Sequence, residues 1–303
     1  GVGRVAPLII SALPELRALG QSGQRNSCGG VENTFGLTQE IPMTIAHPLI
    51  QRLCIIGVGL IGGSLARALK QAGEVGEVVG CGRGEDNLRA AVQLGVVDRY
   101  DTDPARAVAG ADVVVVAVPL GAMESVLRVI VPHLAPEAVV TDVGSAKGSV
   151  VADVERIYGG IPPHFVPGHP IAGTEKSGVD ASFATLFQHR RVILTPLAET
   201  AAAAHRLIQR MWELTGAEVV DMGVRHHDAV LAATSHLPHM LAYTLVDTLA
   251  RLDDRAEIFR YAAGGFRDFT RIASSDPTMW HDICVANREQ LLEMIALFNA
   301  DLT

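Results

Sequence analysis

The stretch RLCIIGVGLIGGSLARALKQAG, residues 52–73, restricts the possible folds more than any other part of this chain. A short apolar run, Leu53 to Ile56, meets a glycine turn, and a segment with helical spacing at Leu65, Ala68 and Leu69 follows. The order is strand, turn, helix. In such a turn Gly57 permits the tight bend, Gly59 lets backbone N–H groups approach a pyrophosphate, and Gly62 lets helix and strand pack closely. Leu60 and Ile61 then stand at the helix N-terminus, whose partial positive charge faces the anion.

A glycine turn alone is weak support, so its surroundings carry the argument. EVVGCG (77–82), ADVVVVAVP (111–119) and AVVTDVGS (138–145) follow at the spacing of further buried parallel strands. Val118 and Pro119, closing the second of these runs, are placed beside the cofactor. RRVILTP (190–196), a helix across 201–215 and AEVVDM (217–222) continue the alternation, after which only helical periods appear. The expected fold is α/β, a doubly wound, mostly parallel Rossmann-type sheet followed by a smaller all-helical dimerisation domain. Expected boundaries are a flexible segment 1–42, a dinucleotide-binding domain 43–222 beginning near Met43, and a helical substrate and dimerisation domain 223–303.

Selectivity for NAD commonly rests on a carboxylate ending the second strand. Here Gly82 occupies that place. Arg83 beside it either holds a 2′-phosphate or is a solvated loop residue, and Glu85 and Asp86 lie close by. The cofactor is therefore read as NAD or NADP, inclining to NADP or dual use.

Other classes are disfavoured by composition. A formal charge of −8 with no Lys/Arg run argues against nucleic acid. No apolar run approaches the roughly 20 residues that cross a bilayer, and RVAPLIISALPEL near the start has one basic residue, Arg4, and an interrupting Pro14, unlike a signal peptide. Cys28, Cys54, Cys81 and Cys284 show no C-x-x-C spacing, as expected of reduced thiols in a cytoplasm.

GHPIAGTEKSGV (168–179) holds the residue most suited to chemistry. Pro170 biases His169 toward extended geometry, and FVPGHP reads as a short strand ending there, at the ligand-facing rim of an open sheet. An imidazole in that place suits proton transfer near neutral pH; a structural loop histidine is the alternative. His236 and His239, three apart on a helix, raise a metal reading, but there is no H-E-x-x-H and no third ligand, so no metal is expected.

Five blocks in order, GVGLIGGS, TDVGSAKG, GHPIAGTEKSGV, SHLPHMLAYTLVDTL and GGFRDFTRIASSDPTMW, resemble the prephenate dehydrogenase family, with its cyclohexadienyl and arogenate relatives, from about residue 52 to the C-terminus. The resemblance implies oxidative decarboxylation of prephenate, or arogenate, with hydride passing to NAD(P) in tyrosine biosynthesis. It implies His169 as the catalytic base and Ser145 as the residue orienting it. Arg271 would grip a substrate carboxylate and His239 would lie near the substrate side chain. Glu175 and Asp268 would gate the site or orient Arg271, and Trp280 would wall the pocket. From the residues alone, Ser145 reads as a turn serine and Arg271 as a solvated charge, while Glu175, Asp268 and Trp280 read equally as a cap, an ion pair and core. A homodimer through the helical domain is expected. Two alternatives stand beside this reading: a β-hydroxyacid-type dehydrogenase, whose family uses a helix-borne lysine, and a non-catalytic dinucleotide-sensing dimer.

Overall fold

A computed structural model describes residues 47–303 apart from residue 175. The expectations for residues 1–42, for Met43 and for Glu175 lie outside the described residues.

The first half alternates strand and helix: β1 (Ile50–Ile56), α1 (Leu60–Ala72), β2 (Val75–Cys81), α2 (Glu85–Gln93), β3 (Arg99–Asp101), α3 (Pro104–Ala107), β4 (Val113–Val116), α4 (Met123–Ile130), β5 (Val139–Asp142), α5 (Lys147–Tyr158) and β6 (Phe165–Val166). These strands form one parallel sheet in the order β3-β2-β1-β4-β5-β6. The order reverses between β1 and β4, and that crevice, at the strands' carboxyl ends, is where such sheets bind ligands.

Both faces of the sheet are covered, which explains why its strands read as continuous apolar runs. Leu53, Ile55, Val113 and Val115 point into one buried cluster, and Cys54, Ile56, Val114 and Val116 into another on the opposite face. Each such side chain, removed fully from water, contributes about 1.5–3 kcal/mol. Two layers of helices therefore hold the carboxyl rim of the sheet rigid.

After Pro167 the chain leaves this sheet. β7 (Gly168–Pro170), β8 (Arg191–Leu194) and β9 (Glu218–Asp221) make a second sheet, with β7 antiparallel to β8 and α6 (Ala202–Glu213) joining β8 to β9. His169 pairs with Ile193 across it. The expectation that His169 ends a strand of the main sheet is thus corrected. FVPGHP forms two strands, because Pro167 has no N–H to give a ladder, and its carbonyl instead accepts from Thr195 N–H at 2.9 Å.

The remainder is helical: α7 (Val224–Leu231), α8 (Leu237–Ala250), α9 (Arg255–Arg260), α10 (Gly264–Thr270), α11 (Pro277–Ala286) and α12 (Arg288–Leu302). Between α7 and α8, residues Ala232–His236 widen into a π turn. Pro238 accounts for it. Lacking an N–H and crowding the carbonyl four residues back, a proline inside a continuous helix is accommodated by a looser turn. The turn sets the direction in which His236 and His239 leave the helix. Among the described residues, no helix is long and apolar enough to cross a membrane.

Candidate active site

The glycine turn separates geometric need from ligand space. Gly57 has φ +101°, and a Cβ there would lie 2.1 Å from the Ala117 carbonyl oxygen, while one at Gly62 would lie 2.4 Å from the Gly57 oxygen. Only glycine fits either place. At Gly59 a Cβ would meet nothing within 4 Å. That open space adjoins the first turn of α1, which has no side-chain cap, so its N–H groups, starting at Leu60 and Ile61, are left for an anion. Val118 and Pro119 follow β4 on the same rim, half-buried and exposed respectively. The residues present fit a dinucleotide.

Arg83 is exposed just beyond the end of β2, and it makes no hydrogen bond or ion pair among the described residues. The neighbouring acids are engaged elsewhere: Glu85 and Asp86 each lie 3.2 Å from Arg89, and Tyr100 donates to Glu85 at 3.1 Å.

His169 is 8% exposed, and its ring is tied into a buried chain of hydrogen bonds. Its Nδ1 lies 2.9 Å from Nε2 of His227, whose Nδ1 lies 2.8 Å from Oδ1 of Asp228. A carboxylate only accepts, so His227 Nδ1 carries a proton and its Nε2 is the acceptor for His169 Nδ1–H. The consequence is that Nε2 of His169 holds a free lone pair. Asp228 is fixed in turn by the Lys147 and Gly148 N–H groups, both at 2.8 Å, at the start of α5. Gly148 allows this approach: a Cβ there would lie 2.9 Å from Oδ2 of Asp228.

Electrostatics agree with this assignment. Burial holds the His169 imidazole well below the ordinary histidine value, and His227, Lys147 and His236 act in the same direction. His169 is neutral near pH 7. Burial alone would raise the Asp228 carboxyl, but hydrogen bonds from His227, Lys147 and Gly148 outweigh it and keep it below its usual value. His227, Asp228 and Lys147 went unrecognised in the sequence. HHDA at the head of the helical half was the available signal, since an aspartate directly after paired histidines can orient one of them.

A second group forms around α8 and α11. His239, half-buried, stacks on Trp280 with ring centres 3.5 Å apart and planes at 17°, while its Nδ1 donates to the Ser235 carbonyl at 2.8 Å. Burial lowers the His239 pKa, the Ser235 carbonyl opposes this, and the Arg271 charge lowers it further. Arg271, exposed in the turn after α10, thus lies within electrostatic reach of His239. His236 is buried against the edge of Trp280 and accepts from Asn287 Nδ2 at 3.1 Å; burial pushes its pKa down to about 4. A cavity of about 380 Å³ borders Trp280, lined also by Met240, Tyr243, Cys284 and Arg288; neither His169 nor Arg271 lines it. Trp280 therefore walls a cavity in the helical half. Asp268 is exposed on α10. Ser145 is half-buried between β5 and α5, and among the described residues its hydroxyl bonds neither to His169 nor to its own turn. Among the described residues, no group of three or more His, Cys, Asp or Glu could hold a metal ion.

A family model described as the prephenate dehydrogenase nucleotide-binding domain matches residues 65–221, and one for the dimerization domain of the same enzymes matches residues 224–303. The chain belongs to the prephenate dehydrogenase family. Within that family it is 42% identical over 257 residues to the cyclohexadienyl dehydrogenase of Zymomonas mobilis, covering 84% of this chain and 87% of the relative. It is similar to the solved structure of prephenate dehydrogenase from Aquifex aeolicus in complex with hydroxyphenyl propionate and NAD+, with TM-score 0.78 and 40% identity over 83% of this chain and 88% of that one. The arogenate dehydrogenase of Synechocystis follows at TM-score 0.70 and 28% identity, covering 83% and 89%. As a member of this family the chain is an NAD(P)-dependent dehydrogenase with a Rossmann-type domain.

Proposed function

We propose that this chain oxidatively decarboxylates prephenate to 4-hydroxyphenylpyruvate, with His169 as the proton acceptor. The observation that carries the assignment is the buried, neutral imidazole whose Nδ1 is committed to His227, leaving Nε2 for the substrate hydroxyl. Gly57, Gly59, Leu60, Ile61 and Gly62, with Val118 and Pro119, would hold the dinucleotide, which when bound would supply the hydride acceptor. His169 takes the hydroxyl proton as the ring carbon gives up its hydride. Loss of the ring carboxylate as carbon dioxide then leaves an aromatic ring. General-base assistance of this kind is worth ~10²–10⁴-fold.

Arg271 is assigned to a substrate carboxylate, since a planar guanidinium binds a carboxylate with two parallel hydrogen bonds. Its proximity to His239, and the stacking of His239 on Trp280, support a pocket in which these groups surround the substrate side chain, with Asp268 at its entrance. Ser145, whose hydroxyl makes no hydrogen bond among the described residues, is assigned to orient His169 and the substrate hydroxyl. The Aquifex relative bound to hydroxyphenyl propionate, a phenol with a carboxylate tail, supports this substrate class; the Synechocystis relative makes arogenate the second substrate to assay.

Arg83, exposed and without an acidic partner among the described residues, supports use of NADP alongside NAD. We also assign a homodimer through the helical half, and a cytoplasmic location that rests on the unpaired cysteine pattern. The test is reduction of NAD and NADP, followed by absorbance with prephenate and with arogenate. His169→Asn should lower kcat by about 10³-fold or more while leaving dinucleotide affinity within about twofold. Full activity in that variant would remove His169 from the mechanism. Silence of the parent with both substrates and both cofactors would favour a dinucleotide sensor.

A further inference from the structure

Lys147 is fully buried, an unusual place for an ammonium, and it touches the site twice. Its Nζ pairs with Oδ2 of Asp142 and donates to the Gly168 carbonyl at 2.6 Å. Asp142 completes a clamp on the same residue, because its Oδ1 accepts from Gly168 N–H at 3.3 Å while its Oδ2 accepts from Gly144 N–H at 2.8 Å. Both main-chain groups of the residue before His169 are thereby held by one ion pair. The main chain of Lys147 serves the other side, since its N–H binds Asp228 at 2.8 Å, and Asp228 orients His227 and so the His169 ring.

Resting on the reading of His169 as the base, we propose that Lys147 is a positioning residue for it, locking the β7 backbone through its side chain and the imidazole through its backbone N–H. A fold-stabilising lysine needs no such double attachment to one histidine. The cost of burial argues the same way. Desolvation pulls the Lys147 ammonium below its ordinary pKa, while Asp142 and Asp228 oppose this and favour the charge. Replacing a buried ion pair with apolar residues is often neutral or stabilising, so stability alone gives little reason to keep this one.

The charge has a second effect. Around the His169 ring stand His227 from α7, His236 from the π turn and Lys147 from α5, with Asp142 and Asp228 facing the lysine. Lys147 disfavours a proton on His169, so its removal should move the acid limb of kcat to higher pH.

Two paired replacements test this without stranding a buried charge. Asp142→Asn with Lys147→Gln removes both charges and keeps only part of the clamp, since an amide has one oxygen to accept from the Gly168 and Gly144 N–H groups; kcat on the alkaline plateau should fall less than in the apolar pair, with the acid limb shifted upward. Asp142→Leu with Lys147→Met removes the clamp; kcat should fall about tenfold to a hundredfold, as expected of a misplaced catalytic group, with the KM for dinucleotide unchanged. Parent-like kcat and acid limb in both folded variants, with only the melting midpoint lowered, would overturn the proposal. Should the apolar pair fail to fold, the pH profile of the amide pair decides alone. An active His169→Asn would defeat the underlying assignment of the base; an inactive one, beside unaffected lysine variants, would defeat only this inference.

Discussion

At the scale of single residues, the site depends on where one proton sits. An isolated imidazole exchanges its proton between two nitrogens and titrates near pH 6.5, so only a fraction of its population could accept a proton through a chosen nitrogen. Here Asp228, unable to donate, forces His227 and then His169 into one tautomer. Asp228→Asn removes that compulsion, because an amide both donates and accepts. We expect kcat to fall by roughly tenfold to a thousandfold with dinucleotide binding retained, the pattern of a base in the wrong tautomer. In the parent, the depressed His169 pKa has a signed consequence. As the proposed base, His169 is unprotonated above its folded-state pKa, so kcat should hold steady from pH 9 down through 6.5 and decline only at lower pH. A profile of kcat from pH 4.5 to 9 checks this; a midpoint at or above the ordinary histidine value would count against it.

At the scale of elements, the two glycines that look alike in sequence do different work. Gly57→Ala would place a Cβ against the Ala117 carbonyl at a positive φ, so it should lower the melting midpoint sharply or prevent folding. Gly59→Ala meets only open space in the protein, so the fold should persist while dinucleotide affinity drops by about tenfold or more. Thermal melts and cofactor titrations on the two variants separate these effects, and a destabilised Gly59→Ala would show that its space belongs to the fold. These glycines, and β1, β2, β4 and β5, were legible because a strand buried on both faces must be apolar throughout and a turn without room must be glycine. β3 escaped notice, since its three residues, Arg99–Asp101, are half-buried or exposed and carry no pattern. The strand carrying His169 was legible in residue type but not in partner, because nothing local in FVPGHP says that β7 joins a second sheet. Lys147, His227 and Asp228 were hidden for a different reason. Residues 80 or so apart meet only after α5 packs against α7, and a lysine in a glycine-rich block reads as solvated until its burial is seen.

At the scale of the whole molecule, the helical half raises a problem that one chain does not solve. Val285 on α11, which lines the 380 Å³ cavity beside Trp280, is 58% exposed, and Leu292, Leu297 and Leu302 on α12 are 48%, 60% and 70% exposed. Large aliphatic side chains left in water are costly at about 25 cal/mol per Å², and an excess of them points to surface that is covered on assembly. With residues 224–303 matching a dimerization domain, the homodimer proposed above would supply the occupant, a second copy packed about a twofold axis. Such an arrangement would also brace α11, and with it the Trp280–His239 stack, making pocket geometry depend on assembly. Leu297→Glu tests both ideas, since in a twofold dimer a carboxylate introduced into the interface appears twice. Light scattering should show the parent as a dimer and the variant shifted toward monomer at micromolar concentration. If assembly braces the pocket, the variant's KM for substrate should rise while its dinucleotide affinity, set in the distant Rossmann-type half, stays constant. A monomeric variant with unchanged substrate KM would detach the pocket from the interface and leave the exposed apolar face with an assembly role alone.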